Sequence, residues 1–370
     1  MQILGFGTYD IRSHPRVGIL LDGLREAGHD VVEINVPLGL STADRVSMLR
    51  QPWRLPQLAL RLLRCWLTLL RAARRDRPRP DVVIVGYLGH FDVLLARRLF
   101  PAATLVLDQL VFAGDTAADR GVTGGLRSRL LDRLDAAACA AADLIVVDTA
   151  ENAALVPRQY SSRCVSVSVG AAMSWFVDRA HPAGSVSGPL QVVFYGLFTP
   201  LQGAITIAAA GALLDPARVQ LTMIGAGQDL AQARLAAGTS GVRWVSWVPP
   251  ENLPSLVGGA DVCLGIAGTT PKAQRVVPNK VFQGAAAGCA IVTSDTAPQR
   301  RQLQGAALFV PPGDPVALAG ALHELAGDRA QVSRLGAAAR RLAQAQFTPL
   351  AVTAPLRTAL AAHHPQGVAP

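Results

Sequence analysis

Seven residues suited to holding a phosphate lie close together: Lys272, Arg275, Pro278, Asn279, Lys280, Gln283 and Gly288. They run from a loop into 281–287, whose apolar spacing predicts a helix. Three cations before a helix with no acid in its first turn are a good arrangement for a diphosphate, because helix amides and positive side chains act on one anion. Of 35 basic side chains only Lys272 and Lys280 are lysine. A compact ammonium is a common phosphate ligand, and the chain otherwise uses arginine. Gln283, one turn into the helix, offers an amide to ribose hydroxyls. The plainer alternative is a solvated basic loop with Gln283 on the helix surface.

Two glycine turns add to this. Gly196, Thr199 and Gly203 lie in 194–203, after an expected strand and before an expected helix, where backbone amides can approach a phosphate. Gly225-Ala226-Gly227 closes another strand, but lacks the third glycine and the acid of a dinucleotide fingerprint, which disfavours an NAD(P)-dependent oxidoreductase. In the N-terminal half, Tyr9, Asp10, His14 and Arg16 share the first loop. His90 follows one expected strand, and Asp108, Asp115, Asp119 and Arg120 follow another. All lie at or beyond the carboxyl ends of parallel strands, where open α/β sheets bind ligands. HExxH, GxSxG and close His/Cys clusters are absent from the sequence, so zinc hydrolysis and serine-esterase chemistry lose support and no metal is expected.

The elements that position these residues alternate. Strands are expected at 3–6, 31–36, 82–85, 104–107 and 144–147, with helices at 17–27, 92–99 and 126–141. After a Gly, Ser and Pro-rich stretch at 181–189, the alternation restarts. Strands are expected at 191–195, 220–224, 242–245, 262–264, 290–293 and 308–310, with helices at 204–214, 230–237, 253–257, 281–287, 315–325, 331–346 and 350–361. Continuous Val/Ile/Leu strands suit parallel sheets covered on both faces. The expected domains are 1–180, a linker 181–189, 190–345, and a C-terminal helix and tail 346–370 packing back on the first domain.

At 370 residues and 50% hydrophobic, the chain is about two domains long and able to bury real cores. The net charge of +9 sits in one place: Arg45 to Arg79 carries ten arginines against Asp76 alone. Nucleic-acid binding would spread basic and aromatic residues over a face, and is not expected. Within this segment a basic amphipathic helix is expected at 53–77, with Gln57, Arg61, Arg64, Thr68, Arg71 and Arg75 on one stripe and Leu, Trp and Ala over the rest. Its alternatives are a domain helix with a solvated ridge, or an interfacial helix with Trp53 and Trp66 at an anionic membrane. The five cysteines are scattered singly and no signal peptide is recognised, so the cytoplasm is expected, with peripheral contact at the inner membrane face as an option.

The segment PNKVFQGAAAGCAIVTSD resembles the donor-binding segment of GT-B glycosyltransferases of the family 4 type. VVFYGLFTPLQGAITIAAAGALL resembles the strand and glycine turn that open their C-terminal domain. LTMIGAGQDL resembles the next strand, VRWVSWVPPENLPSLVGGADVCLGI the base-contacting segment, and LREAGHDVVEINV the first N-terminal unit. The resemblance departs at two places. The family's paired glutamates would fall at Arg275 and Gln283, and its usual phosphate cations at Leu197 and Gln202.

The resemblance implies an α/β protein of GT-B fold, two Rossmann-like domains facing across a cleft. It implies retaining transfer from a nucleotide diphosphate sugar, without metal, cofactor or protein nucleophile. Lys272, Arg275 and Lys280, with Asn279, are then assigned to the diphosphate, Gln283 to ribose, and Trp247 with Val248 to the base. Gly196, Thr199, Gly203, Gly225 and Gly227 line the donor turns. His90 and Asp108 are the expected catalytic contacts, with Tyr9, Asp10, His14, Arg16 and Asp115 at the acceptor, a small natural product or a lipid-linked glycan. The absent glutamate pair keeps a non-catalytic GT-B subunit, binding a partner or membrane, as the second alternative.

Overall fold

The computed structural model describes residues 1–12, 14–40, 51, 53, 55–119, 125–179, 183–184 and 187–363. Arg120, part of the linker 181–189, part of the basic segment and the tail 364–370 lie outside the described residues. The chain forms two compact units, Met1–Ser168 together with the residues from Pro349 on, and Val169–Thr348.

The first unit begins with β1 (Gln2–Gly7), α1 (Arg16–Glu26), β2 (Asp30–Asn35), α2 (Leu55–Asp76) and β3 (Val82–Val85). It continues with α3 (Asp92–Leu99), β4 (Thr104–Asp108), α4 (Ala113–Asp119), α5 (Gly125–Ala141), β5 (Leu144–Val147), α6 (Ala150–Ala153) and β6 (Cys164–Ser166). All six strands are parallel, in the order β2-β1-β3-β4-β5-β6. The apolar runs VVIV and LIVV are buried throughout, because helices cover both faces of the sheet. Val17, Leu20, Leu21 and Leu24 of α1 enter one core layer at helical spacing.

The second unit comprises β7 (Leu190–Tyr195), α7 (Ala204–Ala212), β8 (Val219–Ile224), α8 (Leu230–Ala237), β9 (Arg243–Val245), α9 (Leu253–Gly258) and β10 (Val262–Leu264). Then follow α10 (Asn279–Ala286), β11 (Ala290–Ser294), α11 (Ala297–Leu303), β12 (Ala307–Val310), α12 (Pro315–Gly327) and α13 (Arg329–Gln346). Its parallel order β12-β11-β10-β7-β8-β9 reverses direction between β7 and β10. In an open α/β sheet such a reversal leaves a crevice at the carboxyl ends of the two strands.

The units divide earlier than the composition of 181–189 implied. Residues 169–179 pack in the second unit: Trp175 stacks on Tyr195 with centroids 5.8 Å apart, and Arg179 donates to the Ala260 carbonyl at 2.9 Å. Residues 346–348 also stay there, with Phe347 edge-on to Phe282 at 4.9 Å. From Pro349 the chain rejoins the first unit through α14 (Pro349–Val352) and α15 (Ala354–His363). The single helix expected at 350–361 is two, because Pro355 lacks the N–H that would bond back across the break at Thr353.

Candidate active site

The carboxyl end of β7 carries Gly196 at φ +132°, a conformation that favours glycine. The following turn, 200–202, ends at Gly203, φ +68°, where α7 begins. A Cβ at Gly203 would lie 2.3 Å from the carbonyl carbon of Ala267, so only glycine lets the turn reach the backbone that leaves β10. Gly225 and Gly227 have a packing role of the same kind. Their Cβ atoms would fall 2.0 Å from the Gly196 oxygen and 2.3 Å from the Phe198 oxygen. Thr199 is buried beside them.

Helix α10 starts at Asn279, two residues before the expected start, because extended Pro278 ends the loop there. Lys280 therefore belongs to the first helical turn, and it is only 5% exposed. Its ammonium donates to Oε1 of Gln202 and lies 3.8 Å from the centroid of the Phe194 ring. Burial pushes its pKa down to about 7. Gln283, also buried, accepts the Tyr195 hydroxyl on Oε1 at 2.8 Å, which leaves its amide nitrogen as the donating end. Lys272 and Arg275 occupy the turn before α10, half-buried, with the Arg275 N–H on the Lys272 carbonyl at 3.0 Å. Trp247 is 68% exposed and Val248 half-buried on the loop after β9.

In the first unit, His90 is buried and its Nε2 lies 2.7 Å from Oδ1 of Asp135. A carboxylate only accepts, so Nε2 carries a proton and donates it to Asp135. Asp135 is fixed in turn by Gln109 Nε2 at 3.2 Å and by the amides of Ala113 at 2.9 Å and Gly114 at 3.2 Å. Next to His90 lies a cavity of about 140 Å³ walled mainly by leucines.

Several expected acceptor residues face inward instead. Arg16, 1% exposed, pairs through Nε with Asp108 at 2.7 Å and donates from Nη2 to the Val167 carbonyl at 3.0 Å. Burial pushes the Asp108 carboxyl up, and Arg16 opposes that rise. Tyr9 is in the core, its hydroxyl donating to Glu33 at 2.9 Å, and burial raises its pKa. Asp10 caps the Arg12 amide at 3.0 Å, His14 stacks on Tyr87 at 3.7 Å, and Asp115 is half-buried in the first turn of α4. Trp66 does not serve as a surface anchor: its indole N–H points inward to Asp92 at 2.8 Å, while Trp53 remains 71% exposed.

Residues 189–328 match the family model described as Glycosyl transferases group 1. The match lies wholly within the second unit. No curated protein matches the chain. Among solved structures, sucrose-phosphate synthase of Thermosynechococcus elongatus aligns at TM-score 0.72 and 16% identity, over 99% of this chain and 100% of its own. Anabaena HepE, solved with UDP and glucose, aligns at TM-score 0.68 and 13% identity, over 98% and 100%. A Rickettsia africae glycosyltransferase aligns at TM-score 0.60 and 10% identity, over 97% of each chain. The fold is GT-B.

Within this GT-B chain the structure adds residues that the sequence did not single out. Asp135 and Gln109 hold His90, Asp92 lines the cavity beside it, and Tyr195 and Gln202 face the two buried side chains of α10. Asp135 lies 45 positions from His90, and no local motif joins them. Gln202 did carry a signal, since it stands where the resembling family has a cation.

Proposed function

We propose that the protein transfers a sugar from a nucleoside diphosphate sugar, bound by the C-terminal unit, to a hydroxyl acceptor bound by the N-terminal unit. The observation that carries this reading is the Lys280 ammonium held at the glycine turn after β7, in the first turn of α10. There the amides of 196–203, the α10 N-terminus and Lys280 neutralise the departing diphosphate without a metal. Lys272, Arg275 and Asn279 add to that field. The free amide end of Gln283 reaches ribose, and Trp247 with Val248 meets the base.

In the transfer, the bond from the anomeric carbon to the diphosphate oxygen breaks and the acceptor oxygen bonds to that carbon. The acceptor proton leaves on the diphosphate. Entry on the face of departure retains the anomeric configuration, as in family 4. Tyr9, Arg16 and Asp108 shape the acceptor unit from inside, and His90 is its polar contact.

Helix α2 rests on an anionic membrane at the cytoplasmic face. Its arginines and exposed leucines support this, and no described helix is long and apolar enough to cross a membrane. A thermal-shift panel of UDP, GDP, dTDP, ADP and NAD on wild type and Lys280→Ala tests the donor site. One nucleoside diphosphate is expected to raise the melting temperature, with the rise lost in the variant. A rise with NAD alone, or with none of the panel, overturns the reading.

A further inference from the structure

We propose that the leucine-walled cavity of the N-terminal unit binds the apolar end of the acceptor, a lipid alcohol taken from a membrane surface; this rests on the transfer reading above. The cavity, about 140 Å³, is walled by Leu58 and Leu62 of α2, Leu131 and Leu134 of α5, and Leu88 and Phe91 between β3 and α3. It lies beyond the carboxyl ends of β1, β3 and β4, the edge of an open parallel sheet that takes ligands.

The polar side chains of its wall have their partners elsewhere. Oδ2 of Asp92 accepts the Thr8 amide and hydroxyl, each at 2.7 Å, and Oδ1 accepts the Trp66 indole N–H. Nε2 of His90 is held by Asp135 at 2.7 Å, which leaves Nδ1 as the ring nitrogen that can meet one hydroxyl. What the wall offers a ligand is mainly hydrocarbon, with the His90 ring as a polar contact. A sugar ring would set its hydroxyls against leucines with nothing to replace their water. A cavity of about 150 Å³ takes a benzene ring, so this one takes a ring or one branched unit of a prenyl chain.

A second feature, the surface of α2, points to the same ligand. Helix α2, which walls the cavity with Leu58 and Leu62, turns Leu60, Leu63 and Leu67 to solvent. Arg61, Arg64, Arg71, Arg74 and Arg75 are exposed on it, and its sole acid is Asp76 at the end. Such a face complements an anionic bilayer, where an amphiphilic acceptor is concentrated. One helix thereby joins the lipid surface to the cavity.

Equilibrium dialysis of geraniol, a prenyl alcohol, against the full chain tests the assignment, with ethylene glycol as the hydroxyl control. Geraniol is expected to bind saturably and ethylene glycol not at all. Leu131→Trp and Ala113→Leu, which fill the cavity from different walls, are expected to weaken geraniol by about tenfold or more while keeping the nucleoside diphosphate response. Because a filled core can unfold, His90→Phe supplies a third arm, in which geraniol weakens and the hydrocarbon limonene does not. Non-saturable geraniol binding, or equal affinity in the filled variants, overturns the assignment. Failure of every nucleotide to bind, with geraniol still responding to the variants, overturns the transfer reading and leaves the cavity a lipid-alcohol site.

Discussion

The Lys280 ammonium, on the helix after β10, donates to Oε1 of Gln202, in the turn after β7. In the glycosyltransferases that the sequence resembles, a cation stands at position 202 itself. Here the amide stands there and the charge arrives from α10. The two sites are 78 positions apart in sequence, and the fold joins them at the strand-order reversal between β7 and β10.

Replacing Lys280 should separate binding from stability. Lys280→Met is expected to abolish the nucleoside diphosphate shift and to raise the melting temperature of the ligand-free protein by a few degrees, since a buried ammonium becomes a thioether of similar length. Calorimetry with and without nucleotide checks both. A variant that melts lower and still responds to nucleotide would show Lys280 to be a packing residue.

The same group sets a pH dependence. Its pKa falls from the usual 10.5 to about 7 on folding. Between those values the unfolded chain binds more protons, so stability rises as pH increases through that window, and the full burial penalty is felt below about pH 7. Lys280→Met is expected to flatten that rise. Diphosphate affinity runs the other way, strongest below about pH 7 and weakening above it, where binding must take up a proton. Titration calorimetry in buffers of different ionisation enthalpy measures that uptake.

Arg16 and Asp108 were legible as candidates only by position, at the carboxyl ends of parallel strands, and the structure makes them a buried pair. Arg16→Met should destabilise by about 3–5 kcal/mol, because it strands the Asp108 carboxylate. The double variant Arg16→Met/Asp108→Leu should recover most of this, as an apolar replacement of similar volume does. Chemical denaturation of the single and double variants checks both. If Asp108 touched the reacting atoms instead, the double variant would recover stability and have no transferase activity.

The two Rossmann-like units were legible because buried parallel strands such as VVIV and LIVV are continuous apolar runs that announce themselves. Strand β6, three half-buried or exposed residues at a sheet edge, carries no such run and was not expected. Helix α11 was also missed, since APQRRQL has too few apolar residues for a helical stripe. The phosphate cluster showed in residue type and spacing. The His90–Asp135 pair did not, because it joins the turn after β3 to α5, 45 positions apart in sequence. The domain boundary was misplaced because composition marks where a chain is polar, whereas Trp175 and Arg179 show which core it joins.

The return of the C-terminus to the first unit depends on a single small side chain. A Cβ at Gly23 would fall 2.1 Å from the carbonyl oxygen of Pro349. Gly23→Ala is expected to destabilise by about 1–3 kcal/mol, through overpacking against backbone that cannot step aside. Amide exchange should then rise first in α14 and α15, ahead of the sheet. Uniform exchange changes across both units would contradict this placement.

Helix α2 gives the most direct test of the membrane reading. Leu60, Leu63 and Leu67 are 49%, 52% and 41% exposed, and each can bury its remaining apolar surface in a bilayer interface. At about 1 kcal/mol each, replacing all three with serine should weaken binding to phosphatidylglycerol vesicles by about a hundredfold. The fold should hold, because Trp66, Leu69 and Ala73 lie on a different face and keep their core contacts. Neutralising Arg61, Arg64 and Arg71 should instead remove the preference for anionic over phosphatidylcholine vesicles and the salt dependence of binding. Vesicle co-sedimentation at two salt concentrations separates these effects. Equal sedimentation of wild type and the triple serine variant would leave α2 a domain helix with a solvated arginine ridge, and the lipid acceptor would then have to reach the cavity from solution.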